Sequence, residues 1–566
     1  MLKILQVVAA LVGAAVLSFA PRAEACGCFA QPPPSLGTPV VQAGERILFA
    51  VDNGKVTAHI QIQYAGSAKE FGWLIPLPSV PVVKVGSEEL FTLLLRQTQP
   101  TYRVNNVFTG GGCRQNSGGP SFGCASPVAI NRVGSGATEP LALPAPSPVV
   151  IQATVGPYDY AVLKADDRAA MVTWLADNRY VIPTGANDVV APYIRPGAYF
   201  LALKLTSGAS TGDIAPVVLE YASALPMIPI TLTSIGAQPN MGVQVWLAGT
   251  GRAIPRNYHH VVINDAQLDW ANGANNYGAI VTAAVATAPT KHAFVTEYAG
   301  SSALMRDVLT PPSRFGTVET LASSATPHAF VQSLFASRFA STQGGPLPSQ
   351  VKRLVLAAVP YPPALQPRGV TEDMFLADLE FYLGTFRTQN PDVFVNYQSS
   401  FDGPVLAREV FSTFVATMRE TNSLFTKYPT LTRLFTTLSP EDMNRDPVFS
   451  FNASLPEVSK DHTATLESSC VGSVLVTEQG YRTRAPTGAI TTGVLFPAVT
   501  AATRLETLGE EGPATVVTND APAITAALAP PTVDPGPAMP AGGCAAVDPT
   551  SLALVVLVAR LRRRPR

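Results

Sequence analysis

The chain has little charge: Asp, Glu, Lys and Arg make up 14% of its 566 residues, against about 25% in ordinary soluble proteins. The 39 basic and 40 acidic side chains nearly cancel, which removes the electrostatic footprint of a nucleic-acid binder. Cysteine and histidine are equally sparse, six of each. No phosphate-binding loop, dinucleotide fingerprint, zinc-protease motif or EF-hand loop is present, so no cofactor is expected. No internal apolar run reaches the ~20 residues that a membrane-spanning helix requires.

What is abundant is proline, 51 residues, nearly twice the usual share of about 5%. Low charge with high proline points to a loop-rich extracellular body containing β-structure.

The first 25 residues have the order of a secretory signal: Lys3, an apolar run from Val7 to Ala20, then the small-residue site Ala23-Glu24-Ala25. That run is shorter than a membrane span, so cleavage between Ala25 and Cys26 by signal peptidase is expected in place of anchoring. Cys26 also admits a lipoprotein reading, disfavoured because Ala23 stands where a lipobox carries leucine. Export permits disulfides. Cys113 and Cys124 flank a Gly-rich loop with much backbone entropy to lose, and form the best single candidate pair. The pairing of Cys26, Cys28, Cys470 and Cys544 stays open.

Periodicity divides the body. Residues Glu45 to Tyr64 show alternating apolar positions on either side of Asn53-Gly54, a β-hairpin signature. Strands are expected at 71–77, 199–205, 214–221, 228–234, 242–248 and 259–264. Helices are expected from Ser87 to Gln97 and from Asp166 or Asp167 to Arg179, with a long loop over 103–148. Helical spacing then dominates, after Thr326-Pro327, over Thr371–Phe386, over Val405–Tyr428 and from Ser439-Pro440-Glu441-Asp442. The expected class is α+β: a β-rich α+β region over 26–300, a helix-rich continuation over 301–465, and an unassigned stretch over 466–508. A disordered Ala/Pro/Thr-rich spacer is expected over 509–543, and a short apolar tail over 544–566.

The tail runs from Gly543-Cys544 through the apolar segment Leu552–Ala559 to five arginines in the last seven residues. Arginines on the cytoplasmic side of a briefly membrane-associated segment fit that order. The order is similar to myxobacterial C-terminal sorting tails. The resemblance implies sorting machinery as a partner and Cys544 as the anchoring position.

Chemical candidates are few. Gly119–Gly123 and Gly208–Gly212 match Gly-x-Ser-x-Gly, but neither lies between a strand and a helix as a nucleophile elbow must. His259 and His260 adjoin on an expected strand and should face opposite sides. His462 lies in a polar segment with Asp446, Glu457 and Asp461 near it in sequence, and reads as part of a charge-paired loop. Trp73, Trp174, Trp246 and Trp270 sit among apolar neighbours, as core residues do. No catalytic, cofactor or metal residue is assigned.

Several stretches resemble a family of exported bacterial proteins, domain of unknown function 2330 (DUF2330). They are Ala25–Phe29, Pro39–Phe49, Gln61–Pro78, Phe294–Tyr298, Asp446–Asn452 and His462–Ala464. The resemblance agrees with export and brings no reaction. The expected role is therefore structural or binding, in the envelope or at the cell surface; a secreted hydrolase with an unfamiliar site is the alternative.

Overall fold

The structure, a computed structural model, describes residues 41–65, 72–108, 148–180, 187–206, 214–340, 347–394, 401–469, 472–485 and 499–528. It is α+β, rich in sheet at the N-terminal side with more helix later, as expected.

The strands in the first half are β1 (Val41–Asp52), β2 (Lys55–Ala65), β3 (Gly72–Leu77), β4 (Val82–Val85), β5 (Thr101–Phe108), β6 (Val149–Val155), β7 (Tyr158–Lys164), β8 (Tyr199–Leu205), β9 (Val217–Ala222) and β10 (Ala237–Gly249). Those that follow are β11 (Arg252–Pro255), β12 (His259–Ile263), β13 (Ala293–Ser301), β14 (Thr430–Leu438), β15 (Phe449–Asn452), β16 (Asp461–Ser469), β17 (Gly472–Val476), β18 (Arg482–Ala485), β19 (Ala502–Thr507) and β20 (Thr515–Asn519).

Ten of them form one sheet in the order β20-β19-β12-β13-β14-β10-β1-β2-β9-β4. The hairpin β1–β2 turns as its sequence demands. Asn53 and Gly54 take φ of 47° and 78°, the left-handed pair of a type I′ turn, and Asp52 pairs Lys55 across it. β1 also pairs β10 in parallel, so it is central and both its faces are covered. Ile47 and Phe49 enter a core shared with the second sheet, β3-β8-β7-β6. Leu48 and Ala50 enter a core shared with the helices. The large sheet is thus the middle layer between a β-layer and a helical layer, and β1 exposes none of the side chains from Ile47 to Ala50.

The helical layer begins with Glu88–Thr98. Ser87 caps it by accepting a hydrogen bond from the Glu89 backbone N–H at 3.2 Å, and Leu90, Leu93 and Leu94 are buried. Asp167 caps Arg168–Asp177 in the same way. Thr326 caps Pro327–Ala336. Helix Gly403–Glu409, a π turn over Val410–Val415 and helix Ala416–Lys427 follow one another directly, with helical dihedrals at both junctions. The remaining strands form β18-β17-β16-β5 and β11-β15.

The structure corrects five local expectations. Residues 230–233 form a helical turn where a strand was expected; Asp446 accepts the Thr231 N–H at 3.0 Å, a tertiary cap that strand propensity ignores. Residues 103–108 of the expected loop belong to β5, which pairs in parallel with β16. The helix expected over 371–386 breaks at Asp378, with φ −134° and ψ 58°, whose carboxylate caps the next turn. Ser439–Asp442 yields only one 3₁₀ turn, Pro440–Asp442. The stretch expected to open a spacer at 509 instead adds β20 to the large sheet and forms helix Ala521–Leu528, with Ile524 buried. β14, from the helix-rich stretch, lies between β13 and β10. Among the described residues no helix is long and apolar enough to cross a membrane.

Candidate functional site

Between the large sheet and the sheet β3-β8-β7-β6 lies a cavity of about 30 Å³, with room for about two waters. Its walls are mostly apolar, with Ile47 and Phe49 on β1, Ala58 and Ile60 on β2, Trp73 to Leu77 on β3 and Leu219 on β9, and they include the polar Tyr221 and Thr233. One wall residue is an acid, Glu45. Strand parity places it there, since residues 45, 47 and 49 of β1 share a face. Glu45 is 5% exposed. Its hydrogen-bond donor is Gln42 Nε2, at the long distance of 3.5 Å. Gln42 Oε1 is itself buried with no partner. Burial pushes the Glu45 carboxyl up to about 7, the Gln42 hydrogen bond offsetting only part of the effect. A buried, poorly paired acid in a mostly apolar cavity marks a candidate binding site.

Glu45 is not the one such acid: Asp265 is also buried, its Oδ2 accepting the Gln479 backbone N–H at 2.9 Å, its Oδ1 without a partner among the described residues and its carboxyl pushed up by burial to about 6. Several other buried charges are matched. On the helical side of the sheet, Arg433 Nε donates to Glu297 Oε2 at 2.5 Å, Nη2 to Gln244 Oε1 at 3.1 Å and Nη1 to Thr98 Oγ1 at 3.3 Å. Gln244 Nε2 donates to Glu297 Oε2 at 3.2 Å and to the Leu434 carbonyl at 2.8 Å. Trp246 Nε1 closes the cluster on Thr98 Oγ1 at 2.9 Å. Glu297 reaches it because the β13–β14 register shifts between Thr296 and Tyr298; a bulge re-aims the side chain it carries. Arg314 likewise holds both oxygens of Glu89 at 2.7 Å, tying the first helix to the helical layer.

A second network surrounds His260. Its Nδ1 lies 3.0 Å from Glu506 Oε2 and its Nε2 3.3 Å from Arg252 Nη2. A guanidinium only donates, so Nε2 accepts and Nδ1 carries the proton toward Glu506. Burial accordingly pushes the His260 imidazole below its ordinary range. Desolvation opposes ionisation of Glu506, yet the hydrogen bonds from His260 and Arg504 hold its carboxyl below the usual value. Arg252 also donates to Thr296 Oγ1 at 3.0 Å. In a hydrolytic relay a nucleophile would face Nε2; here Arg252 takes that place.

The structure separates the other histidines. His259 turns to the opposite face from His260; its backbone N–H donates to the His292 carbonyl at 2.8 Å and its Nδ1 is buried without a partner. His462 lies on β16, not in a loop, stacked on Tyr102 at 4.8 Å between centroids, with Nδ1 2.7 Å from Glu478 Oε2. Its hydrogen-bond partner thus lies 16 positions on, not among Asp446, Glu457 and Asp461. Asp461 accepts from Thr101 Oγ1 at 2.7 Å. Asp446 instead holds the Tyr193 hydroxyl at 2.6 Å. Trp73, Trp246 and Trp270 are buried core residues, and Trp174 packs against the core from a half-buried position. All six cysteines, Cys113, Cys124 and Cys544 among them, lie outside the described residues, as do Ala25 and both Gly-x-Ser-x-Gly stretches. Among the described residues, no group of three or more His, Cys, Asp or Glu is placed to hold a metal ion.

Glu45 was not a candidate from sequence, although the signal was there: it sits two residues before Ile47 in an alternating strand, on the parity that turns inward.

The family model for bacterial proteins described as "uncharacterized protein conserved in bacteria" (DUF2330) matches residues 21–311. No curated protein and no solved structure matches the chain. The matched span includes β1, β2, Glu45 and the His260 strand and exceeds half of the sequence, so the chain belongs to the DUF2330 family.

Proposed function

We propose that this DUF2330 protein is an exported envelope or cell-surface protein with a binding or structural role and no catalytic one. The export half rests on the two ends of the sequence. Lys3, the apolar run Val7–Ala20 and Ala23-Glu24-Ala25 form the signal, cut by signal peptidase ahead of Cys26. Gly543-Cys544, Leu552–Ala559 and the closing arginines form the sorting tail, which associates with the membrane before processing at Cys544. In the oxidising space outside the cytoplasm, Cys113 and Cys124 close the Gly-rich loop.

The binding half is carried by one observation: among the described residues no cation is paired with the acid in the cavity, whereas Arg433 pairs with Glu297 and Arg314 with Glu89. An epitope tag inserted ahead of residue 509 tests the location. The tag should fractionate with the envelope and be reached by an impermeant label on intact cells, and the product should begin at Cys26. A tag found only in the cytoplasm refutes the reading.

A further inference from the structure

We propose that β6 is a self-association edge: two copies of this chain join antiparallel along residues 151–155, about a two-fold axis at Ala153, and merge their four-stranded sheets into one. The Glu45 cavity takes no part. β6 is an outer strand of β3-β8-β7-β6, and among the described residues no strand pairs its free side. Such an edge is normally blunted, because its unpaired N–H and C=O groups template another strand. Other exposed edges of this molecule are blunted. Lys84 stands in β4, Arg103 in β5, and Arg482 and Arg484 in β18, while β20 is bulged where Leu505 and Glu506 oppose Thr518 and Val516. β6, Val-Val-Ile-Gln-Ala-Thr-Val, carries no charge and no proline. Its one irregularity, between Val149 and Ile151, leaves residues 151–155 in unbroken register with β7.

The turn fixes which groups point outward. Gly156, with φ of 54°, and Pro157 make a two-residue turn closed by Val155 and Tyr158. Pairs in an antiparallel ladder alternate between those that exchange both main-chain bonds and those that exchange none. Ile151, Ala153 and Val155 therefore bond to β7, and Gln152 and Thr154 turn their N–H and C=O groups outward. With the axis at Ala153, Gln152 of each copy stands opposite Thr154 of the other, and both of these pairs exchange both bonds. The side chains suit that register. Ile151 meets the other copy's Val155 on the face that packs partly against the inter-sheet core. Ala153 meets its own counterpart without crowding, and no charge is brought against its like. The contact is short, so the expected dimer is weak and depends on concentration.

Sedimentation of the full chain from micromolar to near-millimolar concentration should show a reversible monomer–dimer equilibrium. Ala153 is exposed, so a charge there should leave the fold intact, which circular dichroism checks. Since the axis sets residue 153 against itself, Ala153→Lys and Ala153→Glu should each raise the dissociation constant roughly tenfold or more, and an equimolar mixture of the two should dimerise at least as tightly as the parent. Gln152→Pro removes an outward N–H and no bond to β7, and should weaken the dimer as well. A parent that stays monomeric throughout, its edge idle or taken by a strand of another protein, overturns the assignment. So does a dimer that both charges leave unchanged, or a mixture no tighter than either variant alone.

Discussion

Replacing Glu45 by glutamine removes the ionisable group while keeping its shape, and the pH dependence of the result is fixed by the structure. In the unfolded chain the carboxyl titrates near 4.5, and in the folded chain near 7. Between those values the folded state holds a proton that the unfolded state has lost, so stability falls as pH rises. The contribution is intact below about 4.5, is lost progressively up to about 7 and is constant above. The interval corresponds to about 3 kcal/mol, at roughly 1.4 kcal/mol per pH unit. Glutamine carries no such penalty and brings an N–H that can meet the orphaned Gln42 Oε1. Urea unfolding of both proteins at pH 5, 6, 7 and 8 should therefore show the variant gaining on the parent by up to about 3 kcal/mol as pH rises. Two stability curves that run parallel over that range would show that Glu45 is already solvated or paired in the folded protein, and the case for the cavity as a site would fall with it.

Two further outcomes follow from the other buried groups. Arg433→Met strands Glu297 among Gln244, Thr98 and Trp246 and should cost about 3–5 kcal/mol; Arg433→Met combined with Glu297→Gln should recover most of it, and a double variant no better than the single would refute the pairing. His59 is buried with Nδ1 unpartnered, and burial pushes its imidazole down to about 4 from 6.5. The unfolded chain then takes up the proton first, so stability is lost as pH falls from 6.5 toward 4, by about 3 kcal/mol; His59→Leu should abolish that acid limb in urea unfolding, whatever its constant offset.

How much of this was legible follows from which contacts are local. The hairpin was readable because Asn53-Gly54 and the flanking alternation specify it within twenty residues. Ser87, Asp167 and Thr326 announced their helices because a cap acts on its own first turn. Residues 228–234 misled because Asp446, more than two hundred positions away, supplies the bond that makes 230–233 helical. β5 was hidden for the same reason: its pairing partner is β16, and its own mostly exposed side chains carry no alternation to read.

The candidate site shows a different limit. Glu45's inward parity could be read from the strand, but its isolation could not, because that depends on where every cation in the fold ends up. Arg46 is its neighbour in sequence and faces away; the buried guanidiniums of Arg433 on β14 and Arg252 on β11 are spent on Glu297 and on the His260 network. Glu45 and Glu297 are both buried acids near the centre of one sheet, yet one meets an arginine and the other a cavity. The bulge in β13 decides the first case and the unbroken register of β1 from Glu45 onward the second. Whether a buried acid is structural or free to bind is therefore settled by strand register, a property of pairs of strands that no single segment of sequence carries.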